Sequence, residues 1–466
     1  MDLVDLPAVE LARRVRSGEL SPVELIEATL ARVDIVNPHL NAIVTLNERA
    51  LDEARALEAL IARGEDPGQL AGLPVGIKDV TPVAGLRTTY GSPLYRNHVP
   101  MHDAVVVQRL RAAGAIILGK TNCPEFAAGG NTWNDVFGRT RNPWNPALSA
   151  GGSTGGGAAA LATGMIALAE GTDLGGSLRI PASFCGVVGI RPTVGVVPTW
   201  PSDWGWDTLM VTGPMGRNSA DVMLALDAMA GASAFAPFGP VAHRGATPKE
   251  KEAILACYCP DVAGIMIDPT IEAVCSDAVD ALEGNGASVE EIEFDLSWSR
   301  EAFLALRGHW FVTMMFSRLD RLDEFGVNVR NNTRSGLEVS MYDLARAEAA
   351  RGRMWDQFRR LFDTTDVLLT PTMAVPPFPV EQNYPDAIAG RPMQTYIDWL
   401  APTFVLSMSG LPVASVPCGL DANGLPVGLQ IVGRPHEEAR VLAVAARIQA
   451  LCPIGLPSLD FRSNGG

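Results

Sequence analysis

The chain has 466 residues, of which 47% are hydrophobic and 19% are charged, and its formal net charge at pH 7 is −15. This composition indicates a globular protein with a sizeable core, and it excludes a disordered or fibrous chain. Because an acidic surface repels phosphate groups, we expect neither nucleic acid nor a membrane as a partner.

The cysteines and the N-terminus predict the compartment. The seven cysteines are irregularly spaced, and Cys257 and Cys259 are one residue apart rather than in a C-x-x-C motif. We therefore expect buried, reduced thiols. The N-terminal segment MDLVDLPAVELARR lacks the basic and apolar regions of a signal peptide. The longest apolar stretch, residues 155–169, is too short and glycine-rich to span a membrane. These features predict a cytoplasmic protein.

The first 60 residues are predicted to be helical. In SPVELIEATLARVD, Ser21 has the position of an N-cap, Pro22 that of the first helical residue, and Glu24 that of a capping-box carboxylate. Apolar residues then recur at helical spacing. We expect residues 1–65 to form an N-terminal helical arm.

From residue 66 onward, short β-rich runs alternate with helical segments. PVGIKDV and GAIILG are predicted strands, and DAVVVQRLRAAG is a predicted helix. Near the C-terminus, GLPVASVPCGLDANGLPVGLQIVG predicts two strands joined by an Asp-Ala-Asn-Gly turn, and a last helix follows over residues 437–451. This alternation favours an α/β fold with a parallel or mixed sheet. We expect a single domain over 1–466, with the α/β core at 66–466.

One segment matches a phosphate-binding loop. GAIILGKT, residues 114–121, fits the pattern GxxxxGK[ST]. Such a loop needs a strand before it and a helix after it, whereas here the residues between the glycines are a predicted strand and the helix precedes them. The sequence also has no ligand cluster with metal spacing. We therefore expect no cofactor and no metal.

A second segment matches the nucleophile elbow of α/β hydrolases. GGSTG, residues 151–155, fits the pattern GxSxG. In this interpretation Ser153 is the nucleophile, and His309 and His436 are the candidate bases. The interpretation leaves a second Gly-Gly-Ser, which ends at Ser177, without a role. A Ser/His/Asp esterase therefore stays open as an alternative.

A lysine and two serines lie on glycine-flanked segments: Lys78 in PVGIKD, Ser153 in GGSTGG, and Ser177 in GTDLGGSLRIPASFCG. Together with GKTNCPEFAAGGNTWNDVFGRTRNPWNP, GVVGIRPTVG, GPMGRNSADV and SGLPVASVPCGL, these segments resemble the amidase signature family along most of the chain. The resemblance implies a large mixed central sheet covered by helices on both faces. It also implies amide hydrolysis by a Ser–cis-Ser–Lys triad, with Ser177 as nucleophile, Ser153 as bridging serine and Lys78 as base. The peptide bond between Gly152 and Ser153 would be the cis one.

The chemistry of these residue types fits the implied roles. A serine hydroxyl is a poor nucleophile and needs a base within hydrogen-bond reach. A lysine can serve only when it is neutral, so burial must lower its pKa from about 10.4 to roughly 7–8. Because a hydroxyl both donates and accepts, Ser153 can relay a proton between Lys78 and Ser177.

Other residues near the serines are candidates for substrate binding and support. Asp173 and Arg179 are expected to hydrogen-bond the nucleophile loop and each other. The substrate-lining backbone of the family maps to Ala127 and Gly129, and Thr154 stands where the family often has serine. Four consecutive residues can point backbone N–H groups at a developing oxyanion: Leu174, Gly175, Gly176 and Ser177.

The sequence indicates the type of reaction more clearly than it indicates the substrate. One branch of the family is an amidotransferase subunit that works with a partner and commonly has a tyrosine after KPT, whereas this chain has RPTVGVVPTWPSD. This departure and the acidic charge favour a free-standing hydrolase of small or aryl carboxamides. Carbamates (urethanes) and esters share the acyl chemistry and are further expected substrates.

Several alternatives and details stay open at this point. The other classes of function are a glutaminase-type subunit or a non-catalytic relative of the family, and a homodimer is compatible with the sequence. A small-molecule amide or carbamate is the expected partner. Five aromatic residues are candidates for an aryl-accepting pocket: Trp133, Trp204, Trp206, Trp310 and Phe311.

Overall fold

The fold is built on one large mixed sheet. The computed structural model describes residues 2–238, 254–388, 390–393, 395–458 and 460, and these contain fifteen strands. They are β1 (Ile43–Leu46), β2 (Pro74–Lys78), β3 (Ile116–Thr121), β4 (Trp133–Asn134), β5 (Gly138–Arg139), β6 (Leu168–Asp173), β7 (Val188–Arg191), β8 (Val211–Gly216), β9 (Leu255–Tyr258), β10 (Ser288–Glu291), β11 (Val367–Pro371), β12 (Ala387–Ile388), β13 (Arg391–Pro392), β14 (Val413–Leu420) and β15 (Pro426–Val432). Eleven of them form the main sheet, in the order β1-β3-β2-β6-β8-β7-β14-β15-β11-β9-β10.

The pairing within this sheet is both parallel and antiparallel. Strand β2 pairs in parallel with β3 and with β6, and β9 pairs in parallel with β10 and with β11. The other pairs of the main sheet are antiparallel. The four short strands form two separate ladders, β4–β5 and β12–β13. The prediction of a mixed sheet is confirmed.

Helices cover both faces of the sheet. The described residues contain α1 (Ala8–Ser17), α2 (Pro22–Leu40), α3 (Ala50–Ala62), α4 (Val105–Ala112), α5 (Gly155–Ala162), α6 (Arg179–Cys185), α7 (Ser219–Met229), α8 (Pro269–Gly284), α9 (Arg300–Met315), α10 (Val327–Leu337), α11 (Met341–Leu361), α12 (Ala401–Ser407) and α13 (Glu438–Leu451). The two helical layers can be seen from strand β3, because its successive side chains point to opposite faces of the sheet. Ile117 belongs to an apolar cluster with residues of α1, α4 and α7, whereas Ile116 and Leu118 belong to one with residues of α2 and α5. In the part of the chain described above, none of the helices has the length and apolar character needed to cross a bilayer.

Most of the local predictions agree with this structure. Helix α2 begins after Ser21, whose Oγ accepts hydrogen bonds from the N–H groups of Val23 and Glu24. The predicted C-terminal strand pair corresponds to β14 and β15, and the last helix corresponds to α13. The prediction of helices alone for the N-terminal segment misses β1, which pairs with β3 at the edge of the main sheet.

The sheet also positions the candidate site. Strands β2 and β6 are parallel neighbours, so their carboxyl ends lie at the same edge. Lys78 is the last residue of β2, and the segment 174–178 follows the end of β6. Ser153 lies just before the N-terminus of α5.

Candidate active site

Lys78 is completely buried at the end of β2, and it faces neutral oxygen atoms. Its Nζ donates to Ser153 Oγ at 2.7 Å and to Thr172 Oγ1 at 3.0 Å, and Thr172 O lies 3.4 Å away. Its backbone N–H donates to the carboxylate of Glu170 at 3.1 Å. The lysine is thus held against one of the two predicted serines.

Burial determines the protonation of Lys78. Loss of hydration lowers the pKa of its ammonium to about 8, although the charges of Cys123, Glu170 and Asp173 act in the opposite direction. Burial raises the pKa of the Cys123 thiol to about 12, so this thiol is neutral near pH 7. Within the described chain, no carboxylate oxygen lies within ion-pair distance of Lys78 Nζ. A substantial neutral fraction of the lysine therefore exists at mildly alkaline pH.

Ser153 lies on a loop that touches the loop of Ser177. The peptide bond between Gly152 and Ser153 is cis. The backbone N–H of Thr154 donates to Ser177 O at 3.2 Å. A Cβ atom on Gly152 would lie 3.0 Å from Gly129 O, so the loop passes close to a third backbone segment. The structure therefore brings Ser153, Ser177 and the 127–130 segment together.

The Ser177 segment is held by the carboxylate of Asp173. Asp173 Oδ1 accepts a hydrogen bond from Gly176 N at 2.8 Å, and Oδ2 accepts one from Leu178 N at 3.1 Å. This differs from the prediction for Gly176, because its N–H already has an acceptor and supports the loop instead. The described hydrogen bonds include none from the N–H groups of Leu174, Gly175 or Ser177, and none to the Ser177 hydroxyl.

Asp173 itself is held by two buried arginines. Arg179 donates to both of its carboxylate oxygens, at 3.1 and 3.0 Å, and Arg191 Nη1 donates to its backbone carbonyl at 2.5 Å. Burial raises the pKa of the Asp173 carboxyl, but the charges and hydrogen bonds of Arg179, with Arg191, outweigh this effect and hold the pKa at about 2. Arg179 also reaches Gln430 on β15 and Ser407 at the end of α12. The nucleophile segment is thereby tied to the C-terminal half of the sheet.

Ser177 opens into a cavity lined mainly by apolar and aromatic side chains. The predicted substrate-lining residues Ala127 and Gly129 lie in its wall, as do Gly152 and Thr172. Ala127 has φ of 59°, a left-handed backbone conformation that is uncommon outside glycine and is found at functional sites. Thr172 was not predicted, because its position near the end of β6 carries no sequence signal of its own.

The aromatic wall of the cavity agrees only in part with the prediction. Trp310 and Phe311 line it, together with Phe126, Phe303 and Tyr396. Trp204 lies in a neighbouring pocket, Trp206 is 68% exposed, and Trp133 stacks under Arg139. These three tryptophans are not among the lining residues.

One charged residue in the wall was missed by the sequence analysis. Arg307 on α9 lines the cavity and is 7% exposed. The sequence does contain a pattern that could have indicated it. Phe303, Arg307 and Phe311 are spaced four residues apart, so they share one face of a helix. A cation within an aromatic stripe at this spacing marks a position that faces other protein or a ligand.

The phosphate-loop match has no phosphate-loop geometry. Gly119, Lys120 and Thr121 are residues of strand β3, and Lys120 is fully buried with its Nζ donating to the carbonyl of Thr81. Burial lowers the pKa of Lys120 to about 8, against the charges of Asp79 and Glu170. This lysine is a buried neighbour of the site rather than a phosphate ligand.

The elbow interpretation also lacks its base. Lys78, not a histidine, is hydrogen-bonded to Ser153. The ring of His309 packs edge-on against Trp204, and the backbone N–H of His436 donates to Thr193. Neither histidine contacts Ser153 in the described hydrogen bonds.

The fold and the site together define an amidohydrolase that acts on C–N bonds other than peptide bonds. The family model described as Amidase matches residues 24–442, so the chain belongs to the amidase signature family. It is 39% identical to an acylamidase of Rhodococcus erythropolis, over 96% of each chain. It is 35% identical to a glutamyl-tRNA(Gln) amidotransferase subunit of Carboxydothermus hydrogenoformans, over 96% of this chain and 97% of the relative.

Solved structures give the same fold. A bacterial aryl acylamidase of the amidase signature family superposes with a TM-score of 0.88 at 27% identity, over 96% of each chain. A 6-aminohexanoate cyclic dimer hydrolase superposes with a TM-score of 0.87 at 28% identity, over 98% of this chain and 99% of that one.

Proposed function

We propose that this amidase hydrolyses small and aryl carboxamides, and also carbamates and esters, through an acyl-enzyme formed on Ser177. The observation that carries the proposal is the 2.7 Å contact between the buried Nζ of Lys78 and Ser153 Oγ, beside the cavity that Ser177 lines. The acylamidase and the aryl acylamidase among the similar proteins support this class of substrate.

Each proton in the proposed reaction has a donor and an acceptor. Neutral Lys78 accepts the proton of Ser153, which accepts the proton of Ser177 as Ser177 Oγ bonds to the substrate carbonyl carbon. The protonated lysine then returns a proton through Ser153 to the departing amine, and the C–N bond breaks. Water, deprotonated along the same path, then attacks the acyl carbon. The bond between that carbon and Ser177 Oγ breaks as the protonated lysine returns this proton through Ser153 to Ser177 Oγ, and the carboxylic acid is released. The lysine begins and ends neutral, so the cycle closes.

The negative oxygen of the tetrahedral intermediate needs donors with no other partner. We assign this role to the backbone N–H groups of Leu174, Gly175 and Ser177, because Gly176 N is engaged with Asp173. Removal of one such donor in other hydrolases costs about 3–4 kcal/mol of transition-state stabilisation. Carbamates and esters develop the same oxyanion, which supports their inclusion.

The proposal includes a cytoplasmic location, because all seven cysteines are free thiols and a reducing compartment preserves them. Cys185 is the thiol nearest to Ser177 in sequence. Burial raises its pKa, and its Sγ donates to Ala150 O at 3.4 Å, so it serves packing rather than catalysis.

Covalent labelling tests the assignment of the two serines. A fluorophosphonate is expected to add its phosphonyl group to the peptide that carries Ser177, as read by mass spectrometry, and Ser177→Ala is expected to abolish labelling. Ser153→Ala should slow labelling by about two to four orders of magnitude, the usual contribution of general-base catalysis, without moving the adduct.

The matched control removes the histidines of the elbow interpretation. A His309→Ala/His436→Ala double variant should keep most of the labelling rate. An adduct on Ser153, or labelling that disappears with the two histidines, would refute the proposed triad.

A glutaminase subunit of an amidotransferase is the second candidate function. The specific observation in its favour is the 35% identity to the glutamyl-tRNA(Gln) amidotransferase subunit over nearly the whole chain. The two functions share the amide-cleaving chemistry and differ in substrate and in the need for a partner.

A further inference from the structure

The cavity beside Ser177 contains a buried cation. Among its described lining residues, Arg307 is the only one with a charged side chain. The guanidinium lies 4.7 Å from the ring centre of Phe311 and 5.3 Å from that of Tyr396. Its Nη1 donates to Asn332 Oδ1 and its Nη2 to the Tyr396 hydroxyl. The arginine is therefore fixed in place, but only by neutral and aromatic groups.

The charge of Arg307 has no counter-charge among the described residues. No carboxylate there lies within ion-pair distance of it, whereas Arg300 on the same helix pairs with Asp398. Asp207, the carboxylate at Trp310, accepts hydrogen bonds from that indole and from two backbone N–H groups. A guanidinium has five N–H donors, and the two described hydrogen bonds leave others for a ligand. A buried cation without a partner is costly, so such an arrangement favours binding of an anion.

The position of Arg307 relates this cation to the reacting centre. A Cβ atom on Gly175 would lie 3.2 Å from the ring of Phe303, so Phe303 packs on the segment that leads to Ser177. Arg307 follows Phe303 by one helical turn, a spacing of roughly 5–6 Å between Cβ atoms. A substrate with its carbonyl at Ser177 can therefore extend a short chain toward the guanidinium.

We propose that Arg307 selects amides that carry a carboxylate group. This inference rests on the proposed amide hydrolysis and names its substrate class. The planar guanidinium matches a carboxylate in geometry and in charge, and the surrounding aromatic rings exclude the water that would screen the pair. The carboxylate belongs either to the acyl part or to the amine part of the substrate, and the chemistry at Arg307 is the same.

The test compares pairs of anilides that differ only in charge. In the acyl arm, chains of two to six methylenes end in a carboxylate or in an isopropyl group of the same shape. In the amine arm, acetylated 4-aminobenzoate is compared with acetylated 4-isopropylaniline. We expect the parent to prefer the carboxylate by about thirtyfold or more in kcat/KM, mainly through KM, in one arm. The arm that shows the preference tells whether the carboxylate that binds Arg307 belongs to the acyl part or to the amine part of the substrate. Within the acyl arm, the preferred chain length gives its distance from the carbonyl group.

Variants separate recognition of charge from a structural role. Arg307→Met should lose the preference, measured as the ratio of kcat/KM for the carboxylate substrate to that for the isopropyl substrate, and Arg307→Lys should retain part of it. Arg353→Met is the control, because Arg353 also stacks on an aromatic ring, that of Trp298, but lies outside this cavity. It should leave both rates unchanged.

The outcomes distinguish this inference from the proposed function. If the parent hydrolyses isopropyl anilides and prefers no carboxylate in either arm, the role of Arg307 is wrong and the amidase function stands. If Arg307→Met lowers the rates on charged and neutral substrates equally, the role is structural and the inference is again wrong. If the parent hydrolyses no amide of either kind, the proposed function itself is wrong.

Discussion

Lys78 owes its proposed chemistry to what surrounds its ammonium. The Nζ atom contacts a serine hydroxyl, a threonine hydroxyl and a carbonyl, and none of these stabilises a positive charge as a carboxylate would. Glu170 is held instead by the backbone N–H of Lys78 and by Thr81 Oγ1, and burial raises the pKa of its carboxyl. Burial without a carboxylate at Nζ therefore favours the neutral form of the lysine and lowers its pKa to about 8.

The pH dependence of hydrolysis should report the protonation of this lysine. Burial lowers the pKa of Lys78 to about 8, and the neutral form is the base. The rate should therefore rise with pH and level off above 8, and at pH 7 it should be about a tenth of the plateau. The measurement is kcat/KM for a neutral anilide between pH 6 and 10.

Two lysine variants identify which group is responsible for the pH dependence of the rate. Lys78→Met should lower the plateau by about two to four orders of magnitude and remove the pH-dependent limb. Lys120→Met should keep the limb, because Lys120 donates to Thr81 O and not to a serine, although its pKa is also about 8. A limb that survives in Lys78→Met but vanishes in Lys120→Met would show that Lys120 is the base and that the proposed triad is wrong.

At the scale of single elements, the sequence predicts those whose signals are local. The cap at Ser21, the turn between β14 and β15 and the last helix, α13, were predicted from neighbouring residues, and all three are present. Strand β1 was missed because only Ile43 of its four residues is buried and because it pairs only with β3, about 75 residues away in sequence.

In the candidate site, too, the residues with a local sequence signal could be predicted and those without one could not. Lys78, Ser153 and Ser177 could be proposed from the sequence because they lie in glycine-rich segments typical of the family. Only part of the pocket wall, such as Trp310 and Phe311, could be predicted. Phe303 and Tyr396 reach it from distant elements, and most apolar side chains of this kind are simply core. The engagement of Gly176 N depends on how the Asp173 carboxylate is rotated, which no local pattern specifies.

The end of β6 contributes an ion pair whose removal should affect both stability and catalysis. Asp173→Asn leaves the buried charge of Arg179 without its carboxylate and weakens the acceptor of Gly176 N. We expect the free energy of unfolding to fall by about 3–5 kcal/mol at pH 7 and the labelling of Ser177 to slow. Chemical denaturation and fluorophosphonate kinetics measure the two effects.

The pH dependence of this effect has a defined sign. The folded pKa of Asp173 is about 2, below the ordinary value of 3.8, so its contribution is present above pH 3.8 and is lost as the pH falls through 2. The stability difference between the parent and Asp173→Asn should shrink over that range. Asp356→Asn is the control, because the pair of Asp356 with Arg360 is on the surface and solvent screens it. A difference independent of pH, or an equal effect at Asp356, would contradict this account.

At the scale of the whole molecule, the sheet explains how residues far apart in sequence share one cavity. Its strand order joins β1 near the N-terminus to β15 near the C-terminus through the central strands β6, β8 and β7. Arg179 connects β6 to α12 and β15, while α9 supplies the aromatic stripe with Arg307. The proposed catalytic residues thus come from the first half of the chain, and much of the pocket wall comes from the second half.

The charges that line the cavity allow an amidase to be distinguished from a glutaminase subunit. Glutamine carries both a carboxylate and an ammonium group. Arg307 can pair with the carboxylate, but the described lining of the cavity offers the ammonium no carboxylate partner. Burying an ammonium without a partner costs several kcal/mol, and each 1.4 kcal/mol is a factor of about ten in rate or affinity. Pairing of the glutamine carboxylate with Arg307 offsets only part of this cost. We therefore expect the purified chain, without ATP or another subunit, to hydrolyse a neutral anilide with a kcat/KM at least about tenfold higher than for glutamine. N-acetylglutamine, which lacks the ammonium but keeps the carboxylate, should be the better substrate of the two glutamine compounds. Release of ammonia or aniline measures all three reactions. Activity that appears only with added amidotransferase subunits, or a preference for free glutamine over its N-acetyl form, would instead favour the glutaminase subunit.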